Sequence, residues 1–312
     1  MIVSPERLRP HYARFLQPGR VLLTGHSHQA WPDCARDALL ASFDDAARHV
    51  DDKWSLAFEA ADAVREAVSA RIGGRADHVA LAPNTHELVA RFLSAVALTK
   101  RPRVVTTRGE FHSIDRQLHR LAEEGVDVVW VPTQPVETLA ARLADALTRD
   151  TAAVLVSAVL FESSARVPNL PALAERAAAL DVPVLVDAYH AFNVAPFSRD
   201  DVPNAFVVGG GYKYAQWGEG VCFMAVPEGC ALRPVYTGWF AAFGNLADAR
   251  DGEAVRYGSR LADRFAGSTY DPASHYRARA VARFFDAQGI TVEALRATSL
   301  RQTARVRDAL TA

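Results

Sequence analysis

From about residue 78 to residue 226 the chain alternates between short runs rich in β-branched and apolar residues, several of them apolar almost throughout, and amphipathic segments of helix length. The runs are His78–Leu81, Arg103–Thr107, Val126–Val131, Ala153–Leu160, Val182–Asp187, Ala205–Val208 and Val221–Val226. Segments over 86–98, 113–124, 136–148 and 170–180 separate the first five. A strand that is apolar along its whole length is buried on both faces, which requires a sheet with helices above and below it. Consecutive strands joined by helices run parallel. The expected fold is therefore α/β, with a mostly parallel central sheet and helices on both faces.

The flanks of this block read differently. Leu56, Ala60, Val64, Val68 and Ile72 recur every fourth residue and so lie on one helical face, and Gly73-Gly74 supplies a stop. Between Pro227 and Ser268 the apolar period is lost, and Gly, Arg and aromatic residues suggest long connecting structure. Two further helices are expected over 271–287 and 291–310, the first starting at Asp271-Pro272 and the second after Gly289. With 312 residues, half of them hydrophobic, the chain can bury a full core. Its 35 Lys and Arg nearly balance its 36 Asp and Glu, with no block of one sign, so neither nucleic acid nor an anionic membrane is an expected partner. The longest apolar stretch, Ala152 to Phe161, is broken by Ser157 and is far short of the roughly 20 residues of a membrane span. No apolar run follows Glu6, Arg7 and Arg9, so the N-terminus does not resemble a signal peptide and the cytoplasm is the expected compartment. Cys34, Cys222 and Cys230 lack metal or redox spacing and are expected as reduced thiols.

In open α/β sheets ligands bind beyond the carboxyl ends of the strands, and four such ends here carry unusual chemistry. Asn84-Thr85-His86 follows a strand and opens a helix, a setting for a phosphate, although Asn84 or Thr85 alone serves equally as a helix cap. Gly109-Glu110-Phe111-His112-Ser113 places an aromatic ring after the next strand, as a cover for a planar ligand or as core. Asp187 ends a fully apolar strand in Val186-Asp187-Ala188-Tyr189-His190; a carboxylate buried there needs a cation or hydrogen bonds, and a cap or salt bridge would also satisfy it. Gly209-Gly210-Gly211-Tyr212-Lys213-Tyr214 sets one lysine among aromatic rings, after glycines that permit unusual dihedrals and close approach to a ligand; a structural turn is the alternative. In chain order these ends offer a phosphate cup, a ring cover, an acid for a pyridine nitrogen and an imine-forming lysine. That set is what pyridoxal 5′-phosphate (PLP) requires.

With those motifs the chain resembles the class V group of fold-type-I PLP enzymes, which have the aspartate-aminotransferase fold, and within it kynureninase most closely. The resemblance runs from Leu23-Thr24-Gly25-His26-Ser27 to Leu295-Arg296-Ala297-Thr298-Ser299 and is most specific at Asp187-Ala188-Tyr189-His190, Tyr212-Lys213-Tyr214, Gly238-Trp239-Phe240 and Phe265-Ala266-Gly267-Ser268-Thr269. It implies that Lys213 carries PLP as a Schiff base and that Asp187 pairs with the pyridine nitrogen, with His190 beside it. Phe111 would stack on the ring, and Thr85, with His86 next to it, and Tyr212 would form the phosphate end. Trp239 would reach the partner subunit's cofactor in a homodimer; read from residues alone, a buried core tryptophan is as good. The implied organisation is an N-terminal segment over 1–50 joining the small domain and the dimer interface, a large PLP-binding domain over 51–268, and the start of a C-terminal domain over 269–312 that relatives continue further. The arginine that holds the substrate carboxylate in relatives would belong to that continuation.

The implied activity is hydrolytic Cβ–Cγ cleavage of an amino acid, with an aminotransferase as the alternative. Two departures bear on it: Ala215-Gln216-Trp217-Gly218-Glu219-Gly220 stands where kynureninases have an asparagine and a Gly-Pro-Gly turn, and Thr85-His86 stands in place of a Leu-Thr-x-Asn pattern. A cysteine desulfurase ranks lower, because Cys222 and Cys230 lie too close after Lys213 for a mobile nucleophile. A silent paralogue that keeps the fold ranks last, since a binding module has no use for an imine-forming lysine.

Overall fold

The computed structural model describes residues 3–246 and 254–311. Its helices are α1 (Pro5–Leu8), α2 (Asp33–His49), α3 (Lys53–Ile72), α4 (Thr85–Ala95), α5 (His112–Glu123), α6 (Leu139–Asp145), α7 (Leu170–Ala178), α8 (Ala273–Ala287) and α9 (Val292–Thr311). Its strands are β1 (Val79–Ala82), β2 (Arg103–Thr107), β3 (Asp127–Val131), β4 (Thr151–Ser157), β5 (Val184–Asp187), β6 (Ala205–Gly210) and β7 (Cys222–Ala225). They form one sheet in the order β1-β7-β6-β5-β4-β2-β3. Only β7 runs against its neighbours, pairing antiparallel with β1 and β6, while β6, β5, β4, β2 and β3 are parallel throughout.

Alternation along each strand divides the core between the two faces. Val154 and Val156 of β4 and Val184 and Val186 of β5 pack with Val64 and Val68 of α3, Leu143 of α6, Leu173 of α7 and Phe285 of α8. Leu155, Leu185 and Phe206, from the same strands and β6, pack on the other face with Leu88 and Phe92 of α4 and Leu118 of α5. Helix α3 buries the expected face at Ala60, Val64, Val68 and Ile72 and ends at Gly73, whose φ of +80° suits glycine. Leu56, expected on that face, is only half-buried. The expected strand over 153–160 is β4, which starts two residues earlier and stops at Ser157. Beyond it Leu160 N–H bonds to Ala165 carbonyl and Val159 makes a single bridge with Arg166, so the apolar run ends in a turn rather than a ladder. The expected helix over 136–148 is α6, preceded by a short 3₁₀ turn over Val136–Thr138. Among the described residues from 227 to 268 there is no strand, only 3₁₀ turns at Trp239–Asn245 and Leu261–Phe265; residues 247–253 of that expected connection lie outside the described residues. Helices α2 and α3 pack against α8.

Candidate active site

β1, β2, β4, β5 and β6 all present their carboxyl ends at one edge of the sheet, and a cavity of about 220 Å³ opens there. Thr85, His86, Phe111, Asp187, His190, Tyr212 and Lys213 all line it. Seven of the eight residues singled out in the sequence thus meet at one place, although they span 128 positions (213 − 85) of the chain. The eighth, Trp239, does not line this cavity. It is also not a core residue, being 42% exposed beside Phe240 and Phe243.

Lys213 follows β6 and is buried, with its amine 2.5 Å from His190 Nε2. The amine also stands 5.5, 5.4 and 5.8 Å from the ring centroids of Phe111, Tyr189 and Tyr212. Burial pushes the Lys213 amine below its ordinary range, while Asp187 pulls it back up. Burial, and then the nearby Lys213 charge, push His190 down to about 4, so at neutral pH its imidazole is uncharged and Nε2 accepts from the lysine. The glycines before the lysine act by size, not by dihedral. A Cβ on Gly210 would fall 2.4 Å from Tyr189 Oη, and one on Gly211 would fall 2.6 Å from Trp217 Cβ. The unusual dihedrals expected at 209–211 occur after the lysine instead, at Gly218 and Gly220, with φ of +68° and +87°.

Asp187 ends β5 with its carboxylate buried. Oδ1 accepts the Tyr189 N–H at 2.8 Å. Burial pushes the group up to about 6, against the pull of that N–H and of the Lys213 amine. A buried carboxylate with one such bond is short of a partner. A protonated ring nitrogen brought into the cavity would be that partner.

At the start of α4, Asn84 is the cap: its Oδ1 accepts the Glu87 N–H at 2.9 Å. Thr85 and His86 then occupy the first turn, where backbone N–H groups have no helical acceptor and favour an anion. The Thr85 N–H lies beside the buried Cys222 thiol, which is also 3.8 Å from Tyr189 Oη. Burial pushes that thiol up to about 12.

Sequence reasoning left several residues of this site without a role. His28 stacks on Tyr212 at 5.1 Å and 24°, and its Nε2 is 3.4 Å from Glu219 Oε1. Glu219, with Pro83 and Gly220, also lines an adjoining cavity of about 790 Å³. Glu110, quoted only as part of the loop carrying Phe111, is a second buried carboxyl. The argument made for Asp187, an acid directly after an apolar strand, applies to it as well.

The family model described as aminotransferase class-V matches residues 35–309. Among solved structures, a mutant of the cystine C–S lyase C-DES with glycine covalently linked to the PLP cofactor aligns with a TM-score of 0.77 at 16% identity, over 91% of this chain and 75% of that one. A cysteine desulfurase from Thermococcus onnurineus NA1 aligns with a TM-score of 0.74 at 18% identity, over 93% and 73%. The cysteine desulfurase CsdA from Escherichia coli gives 0.74 at 15%, over 92% and 72%. These likenesses share the α/β fold described above. No curated protein sequence matches the chain.

Proposed function

The chain belongs to the class-V aminotransferase family, and on that premise we propose that it is a PLP-dependent enzyme that takes an amino acid at Lys213 and breaks a bond at the substrate's β-carbon. The observation that carries this reading is the Lys213 amine, buried and held by an uncharged His190 in the cavity that Asp187 also lines. PLP bound there supplies an electron sink for charge left on the substrate's α-carbon. Lys213 Nζ would hold the cofactor's carbonyl carbon until the substrate amine displaces it, and the freed amine would then carry a proton to and from the substrate's Cα. Asp187 would keep the ring nitrogen protonated, and Phe111 would cover the ring. Thr85, His86 and Tyr212 would receive the phosphate at the start of α4, where the helix end favours an anion. His190 accepts from Nζ and so fixes the direction in which the amine points.

The bond broken is, in this reading, the Cβ–Cγ bond of an amino acid with a γ-carbonyl, by hydrolysis. The kynureninase-like motifs around Asp187 and Lys213 support it. A second reading, Cβ–S cleavage, draws on the C–S lyase and desulfurase neighbours. A desulfurase that uses its own thiol fits less well: Cys222 is buried and its thiol is pushed up to about 12, and the Cys34 thiol is pushed up to about 11. We place the site in a homodimer, with Trp239 on the contact face. The test is to supply PLP, a γ-keto amino acid, cystine, and an amino donor with a keto-acid acceptor, and to identify products. Alanine with the released acid supports hydrolysis; pyruvate with ammonia from cystine supports the second reading. Amino transfer with neither would overturn both.

A further inference from the structure

Tyr189 reaches both ends of the cavity that holds Lys213. Its backbone N–H donates to Asp187 Oδ1 at 2.8 Å, at the acid end. Its ring centroid stands 5.4 Å from the Lys213 amine, and its hydroxyl lies 3.8 Å from Cys222 Sγ, the thiol beside the Thr85 N–H at the start of α4. The phenol is seated there, at 7% exposure, because residue 210 is glycine: a Cβ would fall 2.4 Å from Tyr189 Oη and 2.5 Å from Cε2 and Cζ. A buried phenol hydroxyl usually finds a firm hydrogen-bond partner. The polar neighbours of this one are the thiol, a weak partner, and the Tyr212 hydroxyl, whose ring centroid is 5.1 Å from its own. Burial pushes the Tyr189 hydroxyl well above its ordinary range, so it keeps its proton and is free to donate.

Two phenols and the first N–H groups of α4 therefore bring donors to one end of the cavity. Among the described residues that line it there is no arginine to take an anion there, and its lysine is the attachment point. We propose that Tyr189 is a phosphate-binding residue: its hydroxyl donates to a phosphate oxygen of the cofactor, beside Tyr212 and the start of α4, in place of its contact with the Cys222 thiol. The exchange is favourable because a hydrogen bond to a charged acceptor is shorter and stronger than one between neutral groups. Gly210 has a part in the same arrangement, since a side chain at that position would push the phenol away. The inference rests on the PLP reading of the site and adds a residue that ties its acid end to its phosphate end.

The experiment titrates the full chain and Tyr189→Phe with PLP and, separately, with pyridoxal, which lacks the phosphate, following the visible absorption of the bound ligand. Removing the hydroxyl should weaken PLP binding roughly 10- to 100-fold and leave pyridoxal within about twofold of wild type. Should Tyr189→Phe not fold, Gly210→Ala, which keeps the hydroxyl but displaces the phenol, is read in the same way. Equal losses for the two ligands would mean that the ring acts by packing alone, and no loss for either would mean that the hydroxyl stays with Cys222; each overturns the proposal. If the wild-type chain binds neither ligand, the proposed function fails, and inorganic phosphate decides the role of the hydroxyl by phosphorus-31 NMR. A phosphate signal shifted by the wild-type chain and less so by the variant supports the proposal, and one that is unshifted or equal in both overturns it.

Discussion

Asp187 and His275 show how burial sets the charge state of single residues, with opposite signs. In Asp187→Ala, PLP should remain partly bound through Lys213 while turnover falls on the order of 10²–10³-fold or more, because the ring nitrogen loses the acid that keeps it protonated; steady-state kinetics with near-normal kcat would refute the pairing. His275, buried in α8 with Nδ1 lacking a hydrogen-bond partner, is pushed by burial down to about 3. A base whose folded value is depressed contributes stability that is present above its unfolded value, near 6.5, and is lost as the pH falls toward 3. His275→Gln should flatten the decline of Tm between pH 6.5 and about 4, and an unchanged slope would contradict the assignment. At this scale the sequence carried the polar residues at strand ends well, because an acid or lysine closing an apolar strand is costly unless used. It did not carry Tyr189, Cys222 or His28, whose places depend on ring packing across the cavity rather than on anything in their own segments.

Helix α4 is where one element does two things, packing Leu88 and Phe92 into the core and presenting its first turn to the cavity. Asn84→Ala should cost about 1 kcal/mol of unfolding free energy, the worth of an N-cap, as measured by chemical denaturation. No measurable loss would mean that the cap bond to Glu87 is idle. The strands and most helices were legible because a two-sided buried strand is apolar throughout and a one-sided helix repeats every three to four residues. Helix α2 was not, and its residues explain why. Its large apolar members Leu40 and Phe43 face outward, at 48% and 71% exposure, while the inward side is made mostly of small residues such as Ala35, Ala38, Ser42 and Ala46, so no bulky apolar period marks it. The reversed direction of β7 was equally hidden, since an apolar run has the same composition whichever way it points.

Across the whole molecule, Val235, Tyr236 and Trp239, like Leu40 and Phe43 of α2, leave large apolar side chains exposed, and exposed apolar surface of that kind favours burial against another chain. The chain should run as a dimer by light scattering at micromolar concentration, and Trp239→Glu should shift it toward the monomer; a wild-type monomer that still binds PLP would refute the dimer. The central claim is that the carboxyl edge of the sheet builds a PLP site with Lys213 as the point of attachment. The most direct measurement is to load the purified chain with PLP, reduce it with borohydride, digest it and locate the modified lysine by mass spectrometry, with Lys213→Ala treated alongside. The account predicts the adduct on Lys213 and none in the variant. An adduct on Lys53 or Lys100, or an undiminished adduct in Lys213→Ala, would contradict it.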